Sequence, residues 1–104
     1  MVPTGLKVAI PEGYEGQIRA RSSLGKKGLI LPHSIGTIDS DYRGDLFVLM
    51  TWIGEGDSYI IEKGERIAQM VIAPIPKTQF KEVGLEHLGQ TKRGEGGFGS
   101  TGRF

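Results

Sequence analysis

Short apolar runs separated by turn residues make up most of the chain, and helical periodicity is nearly absent. The turn signals include Pro-Glu-Gly at 11–13 and Gly-Glu-Gly-Asp at 54–57. Strands this short, at this spacing, indicate an antiparallel sandwich or barrel and not an α/β sheet. The predicted strands cover residues 6–10, 17–21, 28–31, 36–39, 46–52, 58–62 and 66–75.

The two ends of the chain differ in character. Pro74 and Pro76 are expected to end the last strand or to confine it to an edge, and only residues 83–88 suggest a helix. The pattern predicts a β domain over residues 1–88 and a glycine-rich segment over 89–104. The first predicted strand starts almost at Met1, so we expect another subunit to cover the edge of the sheet, or part of the domain to be absent.

Composition narrows the class of protein. The 104 residues fit one domain, and 13 basic against 12 acidic residues leave a net charge of +1 without a basic stripe. This argues against stable binding to DNA or RNA. The absence of cysteine excludes disulfides and thiolate metal sites, and two histidines are too few for a histidine-rich metal site. Without a membrane-length apolar run or a signal-peptide pattern, the sequence predicts a soluble, cytoplasmic protein.

The last twelve residues, 93–104, carry five glycines around one central aromatic residue and two adjacent hydroxyls. So many glycines lose too much entropy on ordering to form a good strand or helix, so residues 93–102 are expected to be mobile until something holds them. Arg93, Ser100 and Thr101 carry groups that bind phosphate, and Phe98 offers a face for stacking on a base. The alternative is a frayed terminus.

Three further segments carry candidate chemistry. Arg21, Ser22 and Ser23 combine a guanidinium with two hydroxyls, which suits either phosphate oxygens or a solvated polar turn, in a spacing that is not a Walker A loop. Asp39 follows an apolar strand and precedes a turn, so it could act as general base on a water molecule. Alternatively, it is a turn former like Asp41.

Gln69 is a polar residue within an otherwise apolar strand. Its amide must find partners, either backbone groups or a ligand.

Taken together and in this order, these segments resemble the trimeric dUTPase (dUTP diphosphatase) family. Residues 21–23 are similar to its second motif, 36–44 to its third, 64–71 to its fourth and 93–102 to its fifth. The similarity runs from about residue 2 to the end. It implies an all-β fold, a distorted β-barrel or jelly roll.

The resemblance also implies an activity, the hydrolysis of dUTP to dUMP and pyrophosphate, which lowers dUTP and supplies dUMP for thymidylate synthesis. The residue at Asp39 would deprotonate the water that attacks the α-phosphorus, and Tyr42 would pack against the deoxyribose. The remaining substrate contacts that it implies are the uracil-reading hairpin residues His33, Gly36, Thr37 and Ile38, then Phe47, and the phosphate-binding residues Arg21, Ser22, Ser23 and Gln69.

The tail would then be a lid over the nucleotide. Arg93 would bind phosphate, Phe98 would cover the uracil, and Ser100 and Thr101 would close on the γ-phosphate. Gly99 would also contact the substrate. Family members hold Mg²⁺ through triphosphate oxygens and waters, so no protein metal ligand is expected. They assemble as homotrimers with active sites shared between chains.

The chain departs from the family pattern at its start. The first motif, a Gly-Tyr/Phe-Asp-Leu strand, is absent, so the sequence predicts that one or more N-terminal strands are missing, as in a fragment, a downstream start or a divergent form. His33 also stands where many relatives have asparagine. Two other interpretations remain: a non-catalytic nucleotide-binding or interaction module, and a dCTP deaminase, which would need a glutamate that residues 46–51 lack.

Overall fold

The computed structural model describes residues 1–99 and 102–104, and most of its regular structure is β. Its helical segments are one six-residue α-helix and one turn of 3₁₀-helix. In chain order the elements are β1 (Val2–Pro3), β2 (Tyr14–Ala20), α1 (Ser22–Lys27), β3 (Leu29–Ile30), β4 (Gly36–Ile38), β5 (Phe47–Val48), β6 (Thr51–Trp52), β7 (Ala68–Pro74) and the 3₁₀-helix (Leu85–His87).

The strands form three small antiparallel sheets. One pairs β1 with β5, one has the order β4-β2-β7, and one pairs β3 with β6. The long pair, β2 with β7, runs in register from Tyr14 opposite Pro74 to Ala20 opposite Ala68. This arrangement confirms the prediction of an all-β fold made of short antiparallel strands.

Three predicted strands differ from the observed ones. Residues 6–10 and 58–62 form no ladder, although Leu46 N–H donates to Leu6 O over 2.9 Å. The apolar run 46–52 is divided into β5 and β6, which belong to different sheets. The run turns this corner at Leu49, whose side chain is exposed, next to buried Val48. Continuous hydrophobicity cannot show where a chain passes from one sheet to another.

Helix α1 was not predicted, because residues 21–28 look like a polar turn. Buried Leu24 anchors the helix to the domain. Gly28 ends it in the left-handed conformation, with φ of 113°, and its N–H donates to Leu24 O and Gly25 O. At the other end of the chain, the 3₁₀-helix falls within the predicted range 83–88.

The hydrophobic core is small. Its centre is Ile18, Leu31 and Val48, against which Ile38 and Ile67 pack from the side. The radius of gyration is 19.4 Å, whereas a compact domain of this length has about 13 Å. The chain therefore spreads over more space than its own core fills.

Strand β7 shows where the core is open. Met70 and Ile72 pair with Ile18 and Gly16 of β2, so they lie on the inner face of the sheet. Their exposed fractions are nevertheless 38% and 47%. Within the described part of the chain, this inner face is only partly covered.

Candidate active site

The tight turn that follows β4 carries the predicted general base. Ile38 ends the strand and Asp39 is the next residue. The backbone N–H of Tyr42 donates to Asp39 O over 3.1 Å, which closes the turn. The Arg43 guanidinium caps it by donating to Ser40 O at 2.6 Å and to Tyr42 O at 3.0 Å. In the described structure no hydrogen bond of the Asp41 side chain is observed, and the side-chain bonds that hold the turn come from the Arg43 guanidinium.

This turn borders a cavity of about 240 Å³. Asp39 and Tyr42 line it together, and both are exposed. A carboxylate in this position can reach a bound ligand and bulk water at once, which is the placement that a general base on water requires. The other lining residues are Thr37, Ile38, Asp45, Leu46 and Phe47.

A second cavity of about 360 Å³ also borders β4. It is lined by His33 and Gly36, and it shares Thr37, Ile38 and Phe47 with the first cavity. The hairpin before β4 turns at Ser34, whose φ is 72° and whose N–H donates to Leu31 O. The residues predicted to contact the nucleoside therefore gather along β4, beside Asp39.

The predicted phosphate-binding side chains lie elsewhere on the same chain. Arg21 Nη1 donates to Arg66 O over 3.0 Å, and Gln69 Nε2 donates to Ala20 O over 3.0 Å. These two bonds cross between the end of β2 and the start of β7. Ser22 and Ser23 begin α1 directly after Arg21, with exposed side chains. The Gln69 amide was predicted to need a hydrogen-bond partner, and the backbone carbonyl of Ala20 is that partner.

Arg21 and Gln69 line a large open cleft of about 830 Å³, and Asp39 is not among its lining residues, although Leu46 borders both this cleft and the cavity of Asp39. The floor of the cleft is apolar and includes Ile18, Val48 and Met70. The predicted site residues thus fall into two groups, one around Asp39 and one around Arg21. The sequence did not predict this cleft, although the apolar character of residues 67–72 was a signal for a covered surface.

The tail stays apart from both groups. Arg93 Nε donates to Gly96 O within the tail itself. The Phe98 side chain is fully exposed, so it contacts neither cavity. Gly99 has a φ of 79°. Ser100 and Thr101 lie outside the described residues.

No group of three or more histidine, cysteine, aspartate or glutamate side chains is placed to hold a metal ion in the described chain. None of its helices is long and apolar enough to cross a membrane.

Reasoning from the sequence missed three neighbours of the turn. They are Arg43, which caps it, and Gly44 and Asp45, which contact the Tyr42 side chain. The signal in the sequence that could have pointed to these neighbours was the spacing Tyr-x-Gly at 42–44.

Comparison with known proteins identifies the relatives of this chain. The family model described as dUTPase matches residues 1–102. The deoxyuridine 5'-triphosphate nucleotidohydrolase of Dinoroseobacter shibae is 59% identical over 99% of this chain and 65% of its own length. The protein of the same name from Rhizobium etli is 52% identical over 98% of this chain and 64% of its own length. The chain therefore spans slightly less than two thirds of the length of these curated relatives.

Solved structures show the same relation. The dUTPase of Staphylococcus bacteriophage 80alpha with dUpNHpp superposes with a TM-score of 0.73 at 35% identity, covering 93% of this chain and 72% of that one. A tyrosine-to-phenylalanine mutant of that phage enzyme, also with dUpNHpp, superposes with a TM-score of 0.74 at 34% identity, with the same coverage. On the family model, the curated relatives and these structures, the chain belongs to the dUTPase family.

Proposed function

We propose that this chain hydrolyses dUTP to dUMP and pyrophosphate, which lowers dUTP and supplies dUMP. The observation that carries the proposal is the cavity in which the exposed Asp39 carboxylate faces the same space as Tyr42. Membership of the dUTPase family supports it, as do the names of the relatives. So does the nucleotide dUpNHpp in the related phage enzyme.

Asp39 is the general base of the proposed reaction. It takes a proton from a water molecule, and the water oxygen bonds to the α-phosphorus of dUTP. The bond from that phosphorus to the bridging oxygen breaks, and pyrophosphate leaves. Tyr42 packs against the deoxyribose, while the backbone of Gly36, Thr37 and Ile38 reads the uracil and His33 and Phe47 border its space.

The phosphates are held by Arg21, Ser22, Ser23 and Gln69. Moving charge on a triphosphate calls for positioning and neutralisation more than for covalent chemistry, and these side chains supply donors for both. Mg²⁺ held by the triphosphate would neutralise further charge beside Arg21.

The complete site combines more than one chain of a homotrimer. This part of the proposal is supported by the separation of Arg21 and Gln69 from Asp39, which line different cavities of one chain. The tail, residues 89–104, closes as a lid, with Arg93, Phe98, Gly99, Ser100 and Thr101 on the nucleotide. A lid that orders over substrate excludes water and commits the nucleotide to reaction.

The decisive experiment is pyrophosphate release from dUTP, dCTP, dTTP and UTP in parallel with Mg²⁺, with ammonia measured in the same samples. We expect release from dUTP above the other three. Ammonia from dCTP would indicate a deaminase instead. Selective binding of dUTP without release of either product would indicate a non-catalytic nucleotide-binding module.

The role of Asp39 is tested by Asp39→Asn. Loss of the general base should lower turnover of dUTP by about 10²- to 10⁴-fold while dUTP still binds. The matched control is Asp57→Asn, since Asp57 is an exposed aspartate in the turn after β6. Unchanged turnover in Asp39→Asn would reject Asp39 as the base.

A further inference from the structure

The Tyr42 side chain folds back over the residue two positions ahead of it. Its hydroxyl donates to Asp45 O over 2.7 Å, so the ring passes beside Gly44. A Cβ built on Gly44 would lie 2.6 Å from Cζ and 2.9 Å from Cε1 of this ring, and closer still to the hydroxyl oxygen. Real Cβ atoms do not approach ring atoms so closely. Any side chain at position 44 must therefore displace Tyr42.

Gly44 is needed for this contact and not for its backbone conformation. The glycines in the left-handed region of the described chain include Gly28 and Gly56, but Gly44 is not among them. An alanine at position 44 therefore meets no conformational penalty at φ, and the close approach of the ring remains as the reason for glycine.

The glycine in this contact is not part of the cavity wall. Tyr42 lines the cavity of Asp39, whereas Gly44 is outside the set of described residues that line it. Arg43 fixes the backbone of the turn through Ser40 O and Tyr42 O. With the backbone fixed, displacement of the ring is the easier response to a larger residue at 44, and it changes the shape of the cavity wall.

We propose that Gly44 is a positioning residue that sets sugar specificity through Tyr42. By leaving room for the ring, it allows the Tyr42 hydroxyl to reach Asp45 O and holds the aromatic face where the sugar of the nucleotide lies. This inference rests on the proposed function, because it takes the cavity of Asp39 and Tyr42 as the nucleoside site. Gly44 acts on discrimination between 2′-deoxyribose and ribose without touching the substrate.

The test compares Gly44→Ala with Gly25→Ala. Gly25 has no atom within 4 Å of a built Cβ and also lacks a positive φ, so it is a matched control. The readout is the ratio of affinities for dUpNHpp and its ribose counterpart, measured by calorimetry. Gly44→Ala should lower this ratio by about tenfold or more, the effect of a misfitted group in a substrate pocket, and Gly25→Ala should leave it unchanged. An unchanged ratio in Gly44→Ala overturns the proposal.

The same substitution made in a Tyr42→Ala variant separates an effect on the position of the Tyr42 ring from general damage to the turn. In Tyr42→Ala the ring is gone, so adding Gly44→Ala should leave the affinity ratio unchanged and should not lower the melting temperature. If Gly44→Ala alone fails to fold but the double variant folds, the contact with the ring is supported. A defect of Gly44→Ala that persists in the Tyr42→Ala background overturns the proposal.

The same measurements separate this inference from the proposed hydrolysis. If the wild-type chain prefers dUpNHpp but releases no pyrophosphate from dUTP, the proposed function is overturned. The affinity ratio then still decides the role of Gly44. If the wild-type chain releases pyrophosphate but both glycine variants keep the wild-type affinity ratio, only this inference is overturned. A wild-type chain that shows no preference for the deoxyribose overturns this inference.

Discussion

Arg21 and Gln69 are held by the fold and still have donors to offer a ligand. The guanidinium carries five N–H donors and the amide nitrogen carries two, while each side chain uses one observed bond, to Arg66 O and to Ala20 O. Because a backbone carbonyl anchors each of them, less side-chain entropy is lost when phosphate binds. Their contacts with the fold therefore favour the proposed phosphate site as well as joining β2 to β7.

Replacing Arg21 by lysine should weaken binding of dUpNHpp by about 1.5 to 3 kcal/mol, because lysine cannot keep the bond to Arg66 O and also present a planar pair of donors to phosphate. The affinity for deoxyuridine should stay the same, since it carries no phosphate. Calorimetry with both compounds measures the difference. Arg19→Lys is the matched control, because Arg19 is an exposed arginine of β2, two residues before Arg21, that bonds to Gln17. Equal losses in the two variants would contradict a specific role for Arg21.

The segment between β6 and β7 keeps a defined shape without forming a strand. The rings of Trp52 and Tyr59 lie 5.1 Å apart, tilted by 33°. Trp52 Nε1 donates to Gly56 O, and the Tyr59 hydroxyl donates to the Glu65 carboxylate over 3.3 Å. These side-chain contacts, and not a backbone ladder, determine the path of residues 58–62, where the sequence predicted a strand.

The Tyr59 contacts predict a pH dependence. Partial burial, the neighbouring Glu65 carboxylate and the charge of Glu62 raise the pKa of Tyr59 above its ordinary value of 10.0. The folded state therefore holds the phenolic proton more tightly than the unfolded chain does. Its stabilising effect is complete below pH 10.0 and is lost as the pH rises through the folded pKa.

An ultraviolet titration should show a late tyrosine transition, above pH 10.0, that belongs to Tyr59. Tyr59→Phe should remove this late transition, and Tyr14→Phe should leave it in place. In urea unfolding, the free energy of unfolding should fall less steeply with rising alkaline pH in Tyr59→Phe than in Tyr14→Phe. A late transition that survives in Tyr59→Phe would contradict the assignment.

At the scale of the whole molecule, the chain has more apolar surface than its core can bury. Ile72 on the inner face of β7 is half exposed, and Phe80 and Phe98 are fully exposed. The 830 Å³ cleft, whose floor is apolar, adds to this surface, and large exposed apolar surface is typical of interaction sites. Association with further copies of this chain would cover this apolar surface, and it agrees with the proposed shared active site.

Light scattering should therefore report three chains per particle. The expected physical reason is burial of apolar surface between chains, so the assembly should persist at high salt, where ion pairs are screened. A monomer that hydrolyses dUTP would contradict the shared site. A trimer that falls apart in high salt would contradict its apolar basis.

Deletion of residues 93–104 should leave the fold intact and remove most of the activity. Arg93 bonds within the tail and Phe98 contacts neither cavity, so the deletion removes no observed support of the core. Circular dichroism should be unchanged, while pyrophosphate release from dUTP falls by about a hundredfold or more, as expected for loss of a closing lid. A matched substitution, Phe98→Ala, should show part of the loss. Full activity in the deletion variant would reject the lid.

The sequence alone determined the fold class and the order of the candidate motifs. Short apolar runs between glycine and proline turns are a local property, and so is the position of Asp39 just after β4. Tertiary structure alone decided which of these segments meet, because pairing depends on contacts between distant residues. It divided residues 46–52 between two sheets and placed Arg21 and Asp39 in different cavities. It also brought Gly44 under the Tyr42 ring, a close approach that depends on a side-chain rotamer and leaves no trace in hydrophobic patterning.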